Sequence, residues 1–540
     1  MTGAPPRGAA ATARPGPTDN RPTDETSAGW RRGATPAAAL AALIVLAVGL
    51  PLRLIALGTP FTAFHSWNEA HYTMIARNFA IAGPFAQFDT YGLDYTTSPV
   101  VPWLIAASMG LFGPHEWAAR LPILLFGLAT LPLFYTLARR LYGPGAALAA
   151  LATAASAPGI VYFSRNVQLD GPLVACTLAA AVLLLALRRH GGRQRLAAFL
   201  GMLALAYLCK WIAVLFLPFL GALWVVPLGD GTPRKKATLG GVALTLLVPP
   251  LPAAAWVVWG LWQDPTYEGV LLNSYFFRGD QWSWPAFLLP LQASYNWLLT
   301  QFPVLLFLLM ILGLPWITHN WRRNLPALLL TGAALSQLRY PLAFKDNIYY
   351  LYPTLYGLAL LCGGVIAAAP RAVASLGARR LLAVGMATLV ALATYYSVQN
   401  YRVYIGLVTS GDYPAVAAAR QLATLRHPGE SVLLDAPWLM YYAGGDPRAL
   451  LDQPAPAACF PRDPLLESRY YRYVLYQGVP SEAQSRQMTR LGYRPLAEGI
   501  LWQLRGKPVP SGRVRSWLPA PVSVVARACP WLASSPTHQP

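Results

Sequence analysis

Long apolar runs alternate with short polar loops along most of the chain. Crossing a bilayer core takes roughly 20 apolar residues in helical form. Such runs fall at 37–57, 118–138, 146–163, 171–187, 196–209, 211–228, 237–261, 297–317, 325–342, 348–369 and 381–400. The pattern predicts about eleven transmembrane helices, with the boundary between 196–209 and 211–228 the softest. Val100–Phe112 is also apolar but too short for a comfortable span, and is expected to be an interfacial helix. A tail at 1–36, rich in Pro, Thr, Ala and Gly, precedes the first run and reads as disordered. That first run starts too late for a cleaved secretory signal.

Beyond residue 404 the pattern changes. Helical periodicity at 413–425 and 481–491 is interleaved with strand-like runs at 431–435, 471–476 and 499–504. A small α/β domain is therefore expected at 405–507, with a Pro- and Ser-rich disordered tail at 508–540. The fold class expected is mainly α, a polytopic membrane domain (37–404) with a large first outer loop and this small domain after it.

Composition sharpens the picture. Of 540 residues, 55% are hydrophobic and 12% charged, and the mean hydropathy is +0.40. Soluble chains carry about 25% charged residues, which argues against an ordinary cytosolic enzyme. Lys and Arg total 42 against 22 Asp and Glu, a net charge of +20. In a soluble protein that balance would suggest nucleic acid; here the positions of the charges decide. With the N-terminus cytoplasmic, inner loops hold Arg139–Arg140, Arg188–Arg195, Arg234–Lys236, Arg322–Arg323 and Arg371–Arg380, and the tail adds five arginines. Outer loops before the last span hold only Arg77, Arg165, Lys210, Arg278 and Lys345. This asymmetry orients a plasma-membrane protein with its C-terminal domain outside, and gives nucleic acid no part. Counting Val100–Phe112 as a span would invert every later loop.

The acids cluster. Between Ala37 and Tyr404, all of them except Asp230 fall on the outer face. Outer loops need polar residues in any case; a working site on that face is the sharper reading. Cys459 and Cys529 would face an oxidising compartment and could pair, whereas Cys176, Cys209 and Cys362 suit apolar filling. No Cys or His spacing supports structural zinc.

Five outer segments carry candidate chemistry. In the first loop Asn68 can cap a helix running to about Ala82, stopped by Gly83. Glu69 then sits in its first turn beside His65 and His71, as a dipole-stabilised carboxylate, a general base or a metal ligand. YFSRNVQLDG (Tyr162–Gly171) brings Arg165 and Asp170, either a loop ion pair or, with Glu69, a pair of carboxylates for a nucleophile or a divalent cation. Lys210 lies between two apolar runs, where an ammonium snorkels or meets an anion. The loop 263–290 mixes Asp264, Glu268, Arg278 and Asp280 with aromatics suited to an interface belt or to stacking on a sugar. FKDNIYYLYP (Phe344–Pro353) places Lys345, Asp346 and Asn347 outside a span that opens with Tyr349 and Tyr350. No P-loop, dinucleotide-binding turn or nucleophile elbow is present. These cations would most naturally meet a lipid phosphate.

The order of these pieces resembles a known family. A first outer loop with a WNE run and a helix ending in ARN is followed by TTSPVVPWLIAASMGLFGPHEWAARLPILLFGLATLPLFYTLARRLYG (Thr96–Gly143), SRNVQLDG, LCKW and KDNIYYLYP. This is similar to the bacterial protein O-mannosyltransferase-like and aminoarabinose-transferase-like glycosyltransferases of the GT-C superfamily. The likeness covers Phe61 to about Val226 well and Lys345–Gly363 fairly. It implies transfer of a sugar from a polyprenyl-phosphate carrier to an envelope glycan, lipid or protein. The family's first-loop Asp-Glu motif falls on Asn68 and Glu69. An Asn takes no proton, so the base would be Glu69, His65 or Asp170. The family's second Asp falls on Asp170. Aminoarabinose transferases carry a phosphate-binding Lys where Ser98 stands here, leaving Lys210, Lys345 and Arg165 for that contact. A divalent cation stays open. The rivals are a transporter or flippase of lipid-linked glycans and a non-catalytic scaffold, but no internal repeat is visible and the ionisable residues lie at span ends.

Overall fold

The computed structural model describes residues 36–61, 66–85, 98–226, 239–263, 288, 292, 298, 300–333, 348–373, 375–409, 413–427, 430–434, 439–444, 471–476, 479–497, 499–506 and 508. Residues 1–35 and 509–540 of the expected tails, the 264–287 part of the aromatic loop, Cys459, Cys529, His65, Lys345, Asp346 and Asn347 lie outside them.

The fold is mostly helical. Helix α1 (Pro36–Leu54) contains a π turn at Val45–Gly49. It is followed by α2 (Ser66–Ala82), α3 (Val100–Phe112), α4 (Glu116–Tyr142), α5 (Pro144–Ser156), α6 (Pro158–Phe163), α7 (Asp170–His190) and α8 (Arg193–Cys209). A 3-10 turn at Trp211–Phe216 leads into α9 (Leu217–Val225), α10 (Leu239–Leu247) and α11 (Leu251–Gln263). Then come α12 (Val304–Leu312), α13 (Leu314–His319), α14 (Trp321–Gly332), α15 (Tyr352–Ala368) and α16 (Leu376–Thr409). α15 is the central element, almost wholly buried between α5 and α14.

Among the described residues six stretches are long and apolar enough to cross a membrane: Pro36–Leu54, Glu116–Tyr142, Asp170–His190, Gly240–Trp262, Tyr349–Ala372 and Leu376–Gly406. Val100–Phe112 is a shorter apolar helix with the expected bounds. Leu43, Leu46, Leu247, Val258, Leu381 and Val384 stay exposed on the peripheral helices, apolar surface that a lipid environment accommodates.

Several expected spans are interrupted. The run 146–163 is two helices, because Pro158 lacks an amide proton and Ala157 before it turns extended at ψ 123. Gly313 divides the described part of 297–317, and a turn at 248–250, rich in proline, divides 237–261. Conversely, α16 runs past 400 and past the expected domain boundary at 404, since no proline stops it.

Buried arginines hold helix ends. Arg53 donates to Gly49 O at 2.9 Å, Ala155 O at 3.1 Å and Ala154 O at 3.2 Å, the last two at the end of α5. Arg188 does the same at the end of α9 through Val226 O and Leu223 O. Carbonyls at a helix C-terminus lack intrahelical donors and carry partial negative charge, so a guanidinium there needs no acid.

After α17 (Pro414–Leu425) come β1 (Val432–Leu434), α18 (Met440–Ala443), β2 (Tyr473–Leu475), α19 (Glu482–Arg490), β3 (Tyr493–Ala497) and β4 (Leu501–Leu504). The sheet order is β1-β2-β4-β3, with β1 and β2 parallel and the other pairs antiparallel. A capping box of Ser481 and Gln484 starts α19. The sequence pattern did not predict β3. Its Pro495 masks the strand signal and is tolerated because β3 is an edge strand with a register shift after Pro495.

Candidate functional site

α2 starts at Ser66, so Asn68 is not its cap; it and Glu69 share the first turn. The Asn68 amide lies 3.5 Å from the Gln168 side-chain oxygen. Glu69 is fully buried. Arg120 of α4 grips it in a fork, Nε to Oε1 at 2.9 Å and Nη2 to Oε2 at 2.8 Å, and the Val167 N–H donates to Oε1 at 3.0 Å. The Arg120 Nη1 donates to Leu57 O at 2.7 Å and Thr59 O at 2.6 Å, and the guanidinium lies 5.0 Å from the centre of the Phe61 ring. A bidentate pair of this kind is strong and directional. Glu69 thus joins α2, α4 and the loop carrying Val167, with both oxygens occupied.

That loop is seated on α4 at Gly127, where a Cβ would collide with the Ser164 carbonyl oxygen. Gly127→Ala is expected to push the loop away and destabilise the protein by about 1–3 kcal/mol. Thermal unfolding in detergent checks this, and an unchanged midpoint would refute the contact.

Four predicted residues come together one step along the loop. Asp170 opens α7, and Lys210 is an extended residue (φ −161, ψ 123) between α8 and the 3-10 turn. The Lys210 Nζ donates to Asp170 Oδ2 at 2.8 Å and Oδ1 at 3.0 Å. It also lies 4.8 Å from the Tyr349 ring centre and 4.7 Å from that of Tyr350. The Asp170 side chain is 1% exposed and that of Lys210 12%. Lys210 therefore meets an anion and two aromatic faces, a cation–π arrangement that stabilises a desolvated ammonium.

Arg165 does not join them, and the expected loop ion pair with Asp170 is absent. Its guanidinium donates instead to Ile55 O, to Ala56 O at 2.8 Å and to the Tyr401 hydroxyl at 3.1 Å. Those carbonyls follow the end of α1, and Asp170 is taken by Lys210 instead. His71 is buried on α2, with its ring 5.0 Å from that of Tyr72. Among the described residues no three His, Cys, Asp or Glu side chains form a group that could hold a metal ion. Cys176, Cys209 and Cys362 are buried free thiols.

An open groove of about 410 Å³ begins two residues before Lys210, at Leu208. Phe85, Trp103, Trp256 and Trp259 line it, and its wall is almost entirely apolar. Ser98, which precedes the lining residue Pro99, donates to Tyr207 O at 3.5 Å.

On the far side of Arg120 the C-terminal elements dock. Tyr442 of α18 accepts a hydrogen bond from the Phe61 N–H at 2.6 Å, and the Tyr441 and Phe61 ring centres are 5.0 Å apart. Arg77 of α2 donates to Tyr441 O at 3.3 Å, and the Tyr441 hydroxyl to Pro114 O at 3.1 Å. Arg420 pairs with Glu116 at 3.0 Å. Burial, reinforced by the Glu116 charge, pushes the Tyr441 hydroxyl up to about 12, so it remains a neutral donor across the physiological range. Burial lowers the Arg77 guanidinium. Sequence reasoning missed Arg120 and this tyrosine pair, and placed Arg77 only among the outer-loop cations. An arginine one turn inside an apolar helix was the available signal, because such a charge demands an anion.

Residues 96–256 match the sequence profile described as dolichyl-phosphate-mannose-protein mannosyltransferase. The crystal structure of ArnT from Cupriavidus metallidurans bound to undecaprenyl phosphate superposes with a TM-score of 0.60, at 16% identity, over 87% of this chain and 99% of that one. The chain has the fold of ArnT. The apo form of the same ArnT gives a TM-score of 0.52 at 19% identity, over 77% of this chain and 85% of that one. Among curated proteins, undecaprenyl phosphate-alpha-4-amino-4-deoxy-L-arabinose arabinosyl transferase 1 of Pseudomonas fluorescens is 28% identical over 336 residues, 59% of each chain. The putative mannosyltransferase YycA of Bacillus subtilis is 26% identical over 176 residues, 32% of this chain. The chain therefore spans 25% of one of these curated relatives and 59% of the other.

Proposed function

We propose that the chain is an inverting glycosyltransferase that moves a sugar from a polyprenyl-phosphate carrier to a glycan, lipid or protein acceptor at the outer face of the plasma membrane. The carrying observation is the Lys210–Asp170–Tyr349–Tyr350 cluster beside an aromatic groove. The relatives support it, since they are named for, or hold, polyprenyl-phosphate or dolichyl-phosphate carriers. In this reading the interrupted helices also cross, giving about eleven spans, with the N-terminus cytoplasmic and 405–507 outside.

Lys210 spends two of its three N–H donors on Asp170, which leaves one for a phosphate oxygen. The acceptor oxygen attacks the anomeric carbon, and the carbon–oxygen bond to the phosphate breaks. The polyprenyl phosphate departs with added negative charge, which Lys210 stabilises as it develops. Asp170 takes the acceptor proton or orients the hydroxyl. Lys345, three residues before the described turn, is a second candidate for the phosphate, and His65 a second candidate base. We assign Glu69 as a positioning residue, Asn68 as a polar contact to Gln168, and Arg165 to the frame. Hexosyl and pentosyl donors both fit this chemistry.

The test is transfer from radiolabelled polyprenyl-phosphate sugars by the reconstituted protein, beside an Asp170→Asn variant. Label on an acceptor supports the reading; label that crosses the bilayer still lipid-linked makes the protein a flippase. Groove use is checked separately. Trp259→Ala is expected to raise KM for a long-chain donor about tenfold, with kcat little changed. Equal KM values would remove the groove from donor binding.

A further inference from the structure

We infer that the end of the bundle opposite this cluster binds the phosphate headgroup of an anionic phospholipid. From Arg120 to Tyr142 along α4 the distance is about 33 Å, the thickness of a bilayer core. At Tyr142 a cavity of about 310 Å³ opens, bounded by Tyr142, Trp316, Asn320, Arg323, Gly364 and Arg371 together with alanines. Two arginines and no carboxylate line it.

The cavity is built rather than incidental. Arg323 donates through Nε at 2.9 Å and Nη2 at 2.7 Å to Leu141 O, the end of α4, and stands 5.6 Å from the Tyr142 ring centre. Its guanidinium is pinned, yet only part of its five-donor fork is used. Tyr142 is 3% exposed, and its buried hydroxyl has no hydrogen-bond partner among the described residues. A buried hydroxyl without a partner costs free energy that a ligand oxygen would recover. Gly364 keeps the space open, since a Cβ there would lie 3.0 Å from the Trp316 ring and 3.3 Å from the Tyr142 ring. Asn320 donates to Trp316 O at 3.1 Å, which leaves its side-chain oxygen for a headgroup hydroxyl.

Two guanidinium groups, a phenol donor and an indole wall form a receptor for a phosphodiester. The volume admits a phosphoglycerol headgroup. A lipid source is favoured over free phosphate because the cavity lies at the end of membrane-length helices, where headgroups are concentrated and acyl chains meet apolar helix faces.

The test uses the full-length protein in a neutral detergent, with bound lipid read by native mass spectrometry. The probes are phosphatidylglycerol, phosphatidylcholine and inorganic phosphate. The wild type should retain phosphatidylglycerol in preference to phosphatidylcholine. Arg371→Gln, at an exposed position, and Tyr142→Phe, which keeps the ring, should each weaken retention about tenfold with the thermal midpoint and sugar transfer unchanged. Inorganic phosphate at equal concentration should not displace the lipid. Equal retention by the variants, equal retention of both lipids, or displacement by inorganic phosphate would each overturn the proposal.

Discussion

Glu69→Ala is expected to cost the protein its stability before it costs chemistry. The substitution leaves the Arg120 guanidinium, 2% exposed, without the carboxylate it grips at 2.8 Å. Breaking a buried pair by removing one partner costs about 3–5 kcal/mol. Unfolding in detergent should show a large drop in midpoint or no folded protein at all. Pairing Glu69→Leu with Arg120→Met should recover much of that loss, because no buried charge is then stranded. Recovery should be incomplete, since Leu57 O and Thr59 O lose their donor. If Glu69→Ala instead stays folded and only transfer is lost, Glu69 belongs among the groups that handle the proton.

Asp170→Asn should behave in the opposite way. The amide oxygen can still accept a hydrogen bond from Lys210, so the cluster keeps its shape while losing the charge and the proton acceptor. Transfer should fall about 10²–10⁴-fold, the usual contribution of a positioned general base. The thermal midpoint should move far less than for Glu69→Ala. Lys210→Gln should also cut kcat, through the departing phosphate rather than the acceptor. The two variants therefore separate in acceptor dependence: a more acidic acceptor hydroxyl should partly rescue Asp170→Asn and leave Lys210→Gln unchanged.

Local features of this molecule were legible in the sequence, and distant pairings were not. The apolar runs located the helices, including Val100–Phe112 with its bounds, because hydrophobicity is a property of a short window. The same window passed over Pro158 and Gly313, whose effect is on the backbone and not on polarity. Asp170, Lys210, Tyr349 and Tyr350 stood out as polar or aromatic residues at span ends, and the fold brings them into one cluster. The Glu69–Arg120 pair is 51 residues apart in sequence and the Phe61–Tyr442 contact 381 apart. Nothing in either local pattern names its partner. Arg165 shows the converse, because its charge suggested an anion and the fold supplies backbone carbonyls just after α1.

The most direct measurement is the fate of a doubly labelled donor, with one label in the sugar and one in the polyprenyl chain, given to the protein reconstituted in liposomes. The proposed transferase releases polyprenyl phosphate and leaves the sugar label on the acceptor, and Asp170→Asn suppresses both products together. If the two labels stay joined, whether or not they cross the bilayer, or if Asp170→Asn transfers as fast as the wild type, the proposed site and reaction are wrong.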